Sequence, residues 1–338
     1  MQTLKISLLS LMLVVLVACG NAPKQVVHIQ GKTMGTTYNV KYVVGQSGPI
    51  DRLDDEIEQR LIEINKLMST YDPTSELSRF NQNRFDTPFA VSEETRIVVE
   101  EAIRLGEFSH GVLDVTVGPL VNLWGFGPTK RPEKIPTQET IASIRDYVGL
   151  DKLTVRGNTL IKRHPMLYVD LSTIAKGYGV DQLAALLEGH DIENYLVEIG
   201  GEMRVKGVRG DGNHWIIAIE KPLSTERAVQ KLIAIGDNAI ATSGDYRNYF
   251  EEDGVRYSHL IDPRTGKPIG HNLVSVAVIH PSSMTADGLA TAFNVMGWDE
   301  AKKLAEESSL AALLIRYNGE EFEEYQTSQF QELVTVYE

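Results

Sequence analysis

The sequence predicts an α+β fold in which an α-rich N-terminal part and a strand-rich C-terminal part enclose a ligand cleft. Two observations support this prediction. Segments with apolar residues at helical spacing are concentrated in the first half of the chain, and the clearest covers residues 51–69. From residue 195 onward, short apolar runs alternate with turn residues, as they do in strands. We expect the two parts to be interleaved along one domain.

The N-terminus indicates an export signal. Lys5 precedes an apolar run at 8–17, and small residues around Cys19 follow it. The run is too short to span a bilayer as a mature helix. Cys19 is the only cysteine of the chain, and its position resembles a bacterial lipobox, in which the cysteine is lipidated. The alternative is an ordinary signal peptide with an incidental cysteine.

The domain boundaries follow from this interpretation. We expect a lipoprotein signal peptide over residues 1–18, a lipidated tether over 19–30 and one domain over 31–338. The protein would then be anchored to a bacterial membrane on its extracytoplasmic, periplasmic side. Acylation of Cys19 would leave no thiol for a disulfide, a metal or a nucleophile.

The charge of the chain limits its partners. The 338 residues carry a formal net charge of −13, which argues against nucleic acid as a partner because phosphate backbones attract basic surfaces. An acidic protein that binds a phosphate also needs a cation to do so.

The elements are predicted from periodicity and from capping signals. Ser92 is the expected N-cap of the second helix, and Gly111 is expected to end it. Helices are predicted over 51–69, 93–109, 137–148 and 282–296. Strands are predicted over 38–42, 166–169, 195–199, 203–208, 215–219, 232–235, 240–242 and 273–279. Tight turns are predicted over 200–202 and 242–245.

The most informative stretch is a strand-to-helix joint at 168–181, which reads YVDLSTIAKGYGVD. Such a joint presents unpaired backbone N–H groups and the positive end of a helix dipole, which suit a phosphate. Asp170 would repel a phosphate, so it should bind a hydroxyl, a base or a metal instead. The alternative is that Asp170 caps the helix and that Lys176 is a surface lysine.

Asp287 and Thr291 are four residues apart at the start of a predicted helix, so they share one face. A small set of ligands that are all oxygen atoms is typical of a Mg²⁺ site. The alternative is an aspartate that caps its own helix. His259 stands at a strand end, where a lone histidine is more often structural than catalytic. Met34 is either a buried plug or an apolar lid on a ring, and Tyr71 is a candidate stacking surface.

Eight motifs in order identify a resemblance. They are GKTMGTTYNV, MSTYDPTSELSRFN, LDVTVGPL, VDLSTIAKGYGVD, VEIGGE, AIATSGDYRNYFE, YSHLIDPRTGKP and TADGLATAFNVMG. Together they closely resemble the ApbE family of flavin transferases over nearly all of the mature chain. The resemblance implies an enzyme that takes FAD and Mg²⁺, moves FMN onto a Thr or Ser hydroxyl of an acceptor protein and releases AMP. The implied acceptors are subunits of NADH:quinone oxidoreductase-type complexes.

Two other classes of function stay open. The first is a Mg²⁺-dependent FAD pyrophosphatase that uses water as the nucleophile. The second is a non-catalytic flavin-binding lipoprotein. A metal site on the pyrophosphate argues against this class, because carrying FAD does not require a metal there.

The resemblance also assigns residues. His259 is the implied general base. The implied FAD contacts are Met34, Tyr71, Val112, Leu113, Asp114, Asp170, Lys176 and Ile261. The implied metal ligands are Thr173, Asp287, Ala290 and Thr291, of which Thr173 and Ala290 would use their carbonyl groups. This chain departs from the family where Leu113 replaces a common Phe and Gly288 a common Ala. Some members carry Glu at the position of Lys176, so this lysine is not essential to the family's chemistry.

Overall fold

The computed structural model describes residues 23–46, 48–83, 86–127, 134–223, 228–245 and 248–337. The expected signal peptide and Cys19 lie outside these residues. None of the helices within the described ranges is long and apolar enough to cross a membrane.

Helices and strands alternate irregularly along the described chain. The helices are α1 (Leu53–Met68), α2 (Glu76–Gln82), α3 (Glu93–Phe108), α4 (Gly118–Leu123), α5 (Gln138–Arg145), α6 (Ala175–Gly189), α7 (Ser283–Met296), α8 (Trp298–Glu307) and α9 (Ser328–Leu333). The first nine strands are β1 (Val26–Thr33), β2 (Thr36–Val43), β3 (Phe89–Ala90), β4 (Leu153–Val155), β5 (Thr159–Lys162), β6 (Tyr195–Ile199), β7 (Glu202–Lys206), β8 (Ile217–Glu220) and β9 (Val229–Ala234). The others are β10 (Ala239–Gly244), β11 (Tyr249–Glu252), β12 (Val255–Ser258), β13 (Ile261–Asp262), β14 (Lys267–Pro268), β15 (Leu273–His280), β16 (Ala311–Tyr317), β17 (Phe322–Gln326) and β18 (Thr335–Tyr337).

One antiparallel sheet organises the described residues, with eight strands in the order β1-β2-β6-β7-β10-β15-β16-β17. β15 shows why the sheet is covered on both sides. Val276 and Val278 belong to the helix-side core, whereas Ala277 and Ile279 pack with the small β8-β9-β18 sheet on the opposite face. Successive side chains of a strand point to opposite faces, so a strand that is apolar throughout must be buried on both.

α6 and α7 form the layer that carries the site. α6 packs on β6, β7 and α7, while α7 packs on β10 and β15. α7 is buried over most of its length, because it lies between α3, α6 and the sheet. Its N-cap Ser282 accepts a hydrogen bond from Thr285 N–H. This packing fixes both helix N-termini against the centre of the sheet.

The α+β prediction is confirmed, as are the predicted helices to within a few residues. The expected separation into two parts is less distinct, because the N-terminal strands β1 and β2 belong to the same sheet as the C-terminal strands. Ser92 caps α3 as predicted and accepts from Thr95 N–H.

Three predictions about segments are wrong. The tether was expected to extend to residue 30, but β1 begins at Val26 and pairs with β2 along its whole length. Residues 166–169 do not form the predicted strand: Met166 lies in a turn, and residues 167–169 have no regular secondary structure. Residues 242–244, a predicted turn, complete β10 and pair with β15. Small residues favour a turn only where no neighbouring strand supplies hydrogen bonds.

Candidate functional site

Two adjoining cavities form one cleft beside the N-terminus of α6. The methionine cavity has a volume of about 590 Å³, and its apolar wall is formed by Met34, Ile64, Met68 and Tyr71. The carboxylate cavity has a volume of about 360 Å³, and its acidic side chains include Asp114, Glu202 and Asp287. Four residues line both cavities, namely Tyr71, Asp170, Ser172 and Lys176. The cleft therefore suits a two-part ligand whose middle lies at the joint before α6.

Asn81 of α2 holds this joint in place. Its side-chain N–H₂ donates to the Val169 carbonyl at 2.7 Å, and its side-chain oxygen accepts from Val169 N–H at 2.8 Å. This amide clamp replaces the strand pairing that the sequence predicted. α6 then begins at Ala175 without a side-chain cap, while Asp170 accepts from Ser172 N–H at 2.9 Å. Asp170 thus shapes the turn before the helix and does not cap it.

A buried group of charges forms one end of the carboxylate cavity. Lys176 Nζ lies 2.6 Å from Glu202 Oε1, and the Glu202 side chain is only 3% exposed. Asp287 is also buried, and its Oδ2 accepts from Gly177 N–H at 3.0 Å. Lys176 lines the cleft beside these carboxylates, so its interpretation as an outer-surface lysine is wrong.

The electrostatics of the three groups are coupled. Burial raises the pKa of the Asp287 and Glu202 carboxyls, and the Lys176 ammonium opposes that rise in both. Burial lowers the pKa of Lys176, but the charges of Asp287 and Glu202 outweigh it and hold that pKa above its ordinary value. A 2.6 Å contact has the length of a charge-assisted hydrogen bond, so we describe Lys176 and Glu202 as an ion pair.

Three of the four predicted metal ligands are placed where they could hold a hard cation. The Thr173 hydroxyl oxygen is buried without a hydrogen-bond partner, and Thr173, Asp287 and Thr291 all line the carboxylate cavity. Ala290 is buried in α7 and does not line it. In the described part of the chain, no three His, Cys, Asp or Glu side chains cluster as a metal site. One carboxylate with hydroxyl and carbonyl oxygens is a donor set that suits Mg²⁺, which keeps several waters.

His259 lies across the carboxylate cavity, directly after β12. Its Nδ1 is 3.0 Å from the Asn248 carbonyl. A carbonyl accepts only, so Nδ1 carries the proton and the neutral ring presents Nε2 as a base. Burial lowers the pKa of His259, and the Asn248 carbonyl opposes that change. The imidazole is therefore neutral at neutral pH.

The remaining predicted contacts also line the cleft. Val112, Leu113, Asp114 and Ile261 face the carboxylate cavity. Burial raises the pKa of Asp114, while hydrogen bonds from the N–H and hydroxyl of Thr116 lower it.

The methionine cavity receives the other two predicted contacts. Met34 adopts a left-handed backbone (φ 49°) in the β1–β2 turn and packs against the helix-side core. It is therefore both a plug and part of the wall. Tyr71 stands at the rim of the cleft and is 71% exposed.

Sequence reasoning about individual residues missed Glu202 and Asn81. The sequence predicts Glu202 only as part of a tight turn, although its motif, VEIGGE, contributes to the family resemblance. A glutamate before a strand gives no signal that it will be buried, because its burial depends on Lys176 from a different element.

The fold is α+β and its cleft consists of two adjoining cavities. Comparisons with known proteins supply the family. The model of the ApbE family matches residues 34–314. The chain is 55% identical over 325 residues to the FAD:protein FMN transferase of Vibrio cholerae, covering 96% of this chain and 97% of the relative. It is 43% identical over 310 residues to the Escherichia coli protein of the same name, covering 90% and 88%.

Solved structures agree with this assignment. The flavin transferase ApbE of Vibrio cholerae superposes with a TM-score of 0.86 at 54% identity, covering 92% of this chain and all of that one. The flavinyl transferase ApbE of Pseudomonas stutzeri, in its apo form, gives a TM-score of 0.85 at 40% identity, covering 92% and 97%. The chain belongs to the ApbE family, and it is an enzyme of the transferase class.

Proposed function

We propose that this protein transfers FMN from FAD to a Thr or Ser hydroxyl of an acceptor protein and releases AMP. The observation that carries the proposal is the bipartite cleft, whose two cavities meet at Asp170 and Lys176. FAD has two ring systems joined through a pyrophosphate, so its shape and charge match a cleft with an ammonium group and the positive end of a helix dipole at its middle. The names of the Vibrio cholerae and Escherichia coli relatives support the same activity.

The pyrophosphate is assigned to the joint before α6. Lys176, held by Glu202, supplies an ammonium group there, and the positive end of the α6 dipole lies at the same joint. The two rings of FAD are assigned to the remaining walls, with Met34 and Tyr71 on one side and Val112, Leu113 and Asp114 on the other. Ile261 contacts FAD through its backbone.

The magnesium ligands are assigned to Thr173, Asp287, Ala290 and Thr291. A bound Mg²⁺ neutralises charge on the pyrophosphate and on the leaving phosphate. Asp287 is the single charged ligand of this set, and its burial holds it in place. Because the formal net charge of the chain is −13, a bound cation also offsets repulsion of an anionic substrate.

His259 is assigned as the general base. The acceptor hydroxyl attacks the phosphorus next to riboflavin, and its proton passes to Nε2 of His259 as the new P–O bond forms. The bond from that phosphorus to the bridging oxygen breaks, and the bridging oxygen leaves with AMP. Positioning by the cleft supplies the in-line geometry for this displacement.

Intact mass spectrometry tests the transfer. The protein, FAD and Mg²⁺ are incubated with an NADH:quinone oxidoreductase-type subunit, and the acceptor should gain the mass of FMN less one water, with one AMP per transfer. A control acceptor with its target Thr or Ser replaced by Ala should gain nothing. Free FMN and AMP without any mass gain would overturn transfer in favour of hydrolysis, and unchanged FAD would favour a flavin carrier.

The membrane anchor is a separate proposal. We infer that Cys19 is acylated and holds the enzyme on the extracytoplasmic side, since the cysteine follows a signal-like segment. Cys19→Ser should move the protein out of the membrane fraction, and lipid should disappear from its intact mass. Lipid that persists on the variant would contradict the assignment.

A further inference from the structure

Glu202 is buried and pairs with Lys176, but it has no role of its own in the assignments above. Glu202 lies directly after the Gly200-Gly201 turn, whose residues have φ values of 61° and 108°. These positive angles favour glycine, and they return the chain so that Glu202 faces the cleft at the start of β7. A Cβ on Gly200 would lie 3.4 Å from Lys176 Cδ. The turn therefore lies against the lysine stem and delivers the carboxylate to its ammonium.

Lys176 has a second carboxylate within electrostatic range. The charge of Asp287 acts on Lys176, and Gly177 N–H, one residue along the chain, donates to Asp287 at 3.0 Å. Nevertheless, within the described residues the Lys176 ammonium forms an ion pair with Glu202 and none with Asp287. Two carboxylates thus lie within range of one ammonium group, and Glu202 is the one that pairs with it.

The pairing of Lys176 with Glu202 affects whether Asp287 can bind a cation. A buried carboxylate that is paired with an ammonium is a poor cation ligand, because the cation must displace the ammonium and then tolerate its repulsion. Glu202 and Lys176 neutralise each other when paired, so Asp287 keeps its charge for a cation. The other oxygen of this carboxylate, Glu202 Oε2, is buried without a hydrogen-bond partner.

We propose that Glu202 is a positioning residue that holds the Lys176 ammonium away from Asp287 and so keeps Asp287 available to Mg²⁺. The same contact fixes the ammonium at the junction of the two cavities. The proposal rests on the proposed magnesium site, and the experiment below separates failure of the two.

Calorimetric titration with Mg²⁺ alone, without FAD, provides the test. Glu202→Gln removes the carboxylate charge at nearly constant shape, so Lys176 should turn to Asp287 and weaken Mg²⁺ binding by about tenfold or more. The double variant E202Q/K176M removes the competing ammonium and should restore most of the affinity. A residue with only a structural role would not give this rescue.

Glu198→Gln is the matched control. Glu198 lies in the same hairpin and acts electrostatically on Lys176, but its side chain bonds Asn39 and Gly201 N–H and does not line the cleft. The Mg²⁺ affinity of the E198Q variant should stay within about threefold of the wild-type affinity. An equal loss in E198Q would assign the effect to general charge and overturn the positioning role.

Three further outcomes are distinguished. If E202Q does not fold, the Lys176→Met variant alone tests the proposal. This variant should bind Mg²⁺ at least as tightly as wild type does, and weaker binding would refute the proposal. If E202Q binds Mg²⁺ as wild type does, only the role of Glu202 fails. If wild type itself binds no Mg²⁺, the magnesium assignment fails.

Discussion

The two cavities of the cleft are built in different ways. The methionine cavity draws on few segments, chiefly the β1–β2 turn, the end of α1 and the joint before α6. The carboxylate cavity collects residues from Tyr71 to Val295, and two of its acidic side chains, Glu202 and Asp287, are buried. Apolar walls tolerate replacement by other apolar side chains, whereas buried charges depend on every partner. The comparison predicts that substitutions in the carboxylate cavity affect chemistry and folding, and that those in the methionine cavity affect affinity.

The largest effect is expected at Asp287. Asp287→Asn keeps the size of the side chain but removes the only charged metal ligand, so FMN transfer should fall by at least about 10³-fold. Transfer rates at varied Mg²⁺ measure this, with circular dichroism to confirm folding. The exposed Asp299→Asn on α8 is the control and should behave as wild type. An unchanged Mg²⁺ dependence in D287N would remove Asp287 from the site.

The second effect is expected at His259. His259→Gln should retain FAD binding and lose about 10²–10⁴-fold of the single-turnover rate, as removal of a positioned base does. Because burial lowers the pKa of His259, the wild-type rate should fall only as pH drops through a value below the ordinary 6.5, and this step should be absent in the variant. Poor FAD binding with normal turnover per bound FAD would instead indicate a structural histidine.

The third effect concerns folding around the carboxylate cavity. A Cβ on Gly177 would lie 2.3 Å from the Ser283 carbonyl oxygen, so α6 and α7 must separate in Gly177→Ala. We expect a loss of roughly 1–3 kcal/mol in the free energy of unfolding, measured by urea titration. Gly189→Ala at the other end of α6 has open space around its Cβ and should be neutral or slightly stabilising. Equal stability of the two variants would contradict the tight helix contact.

The smallest effect is expected at Tyr71 in the methionine cavity. Tyr71→Ala removes an exposed ring that can stack on FAD, which should weaken FAD binding by about tenfold or less. The single-turnover rate at saturating FAD should change little. Fluorescence titration of FAD measures the affinity, and Tyr317→Ala, outside both cavities, is the control. A large loss of rate at saturation would show that the Tyr71 ring, which lines both cavities, takes part in the chemistry.

Periodicity predicted the helices well, because each buries one apolar stripe that is visible in the sequence. α1 buries Leu53, Ile57, Leu61, Ile64 and Met68, the stripe that predicted it. Strand predictions failed where hydrogen bonds from elsewhere decide the outcome. Val169 is held by the Asn81 side chain and not by a strand, while Ser243 and Gly244 are held in β10 by β15.

The sequence by itself determined the α+β class, the principal helices and, through its ordered motifs, the family and most of the residues that line the cleft. Those features depend on local spacing and on residue identity, and both can be read directly from the sequence. Only the tertiary structure decided that Glu202 is buried against Lys176, that Asn81 clamps the joint and that His259 presents Nε2. Each of these depends on groups that are distant along the chain and meet only after folding, because burial and hydrogen bonding are properties of the surroundings of a residue and not of the residue itself.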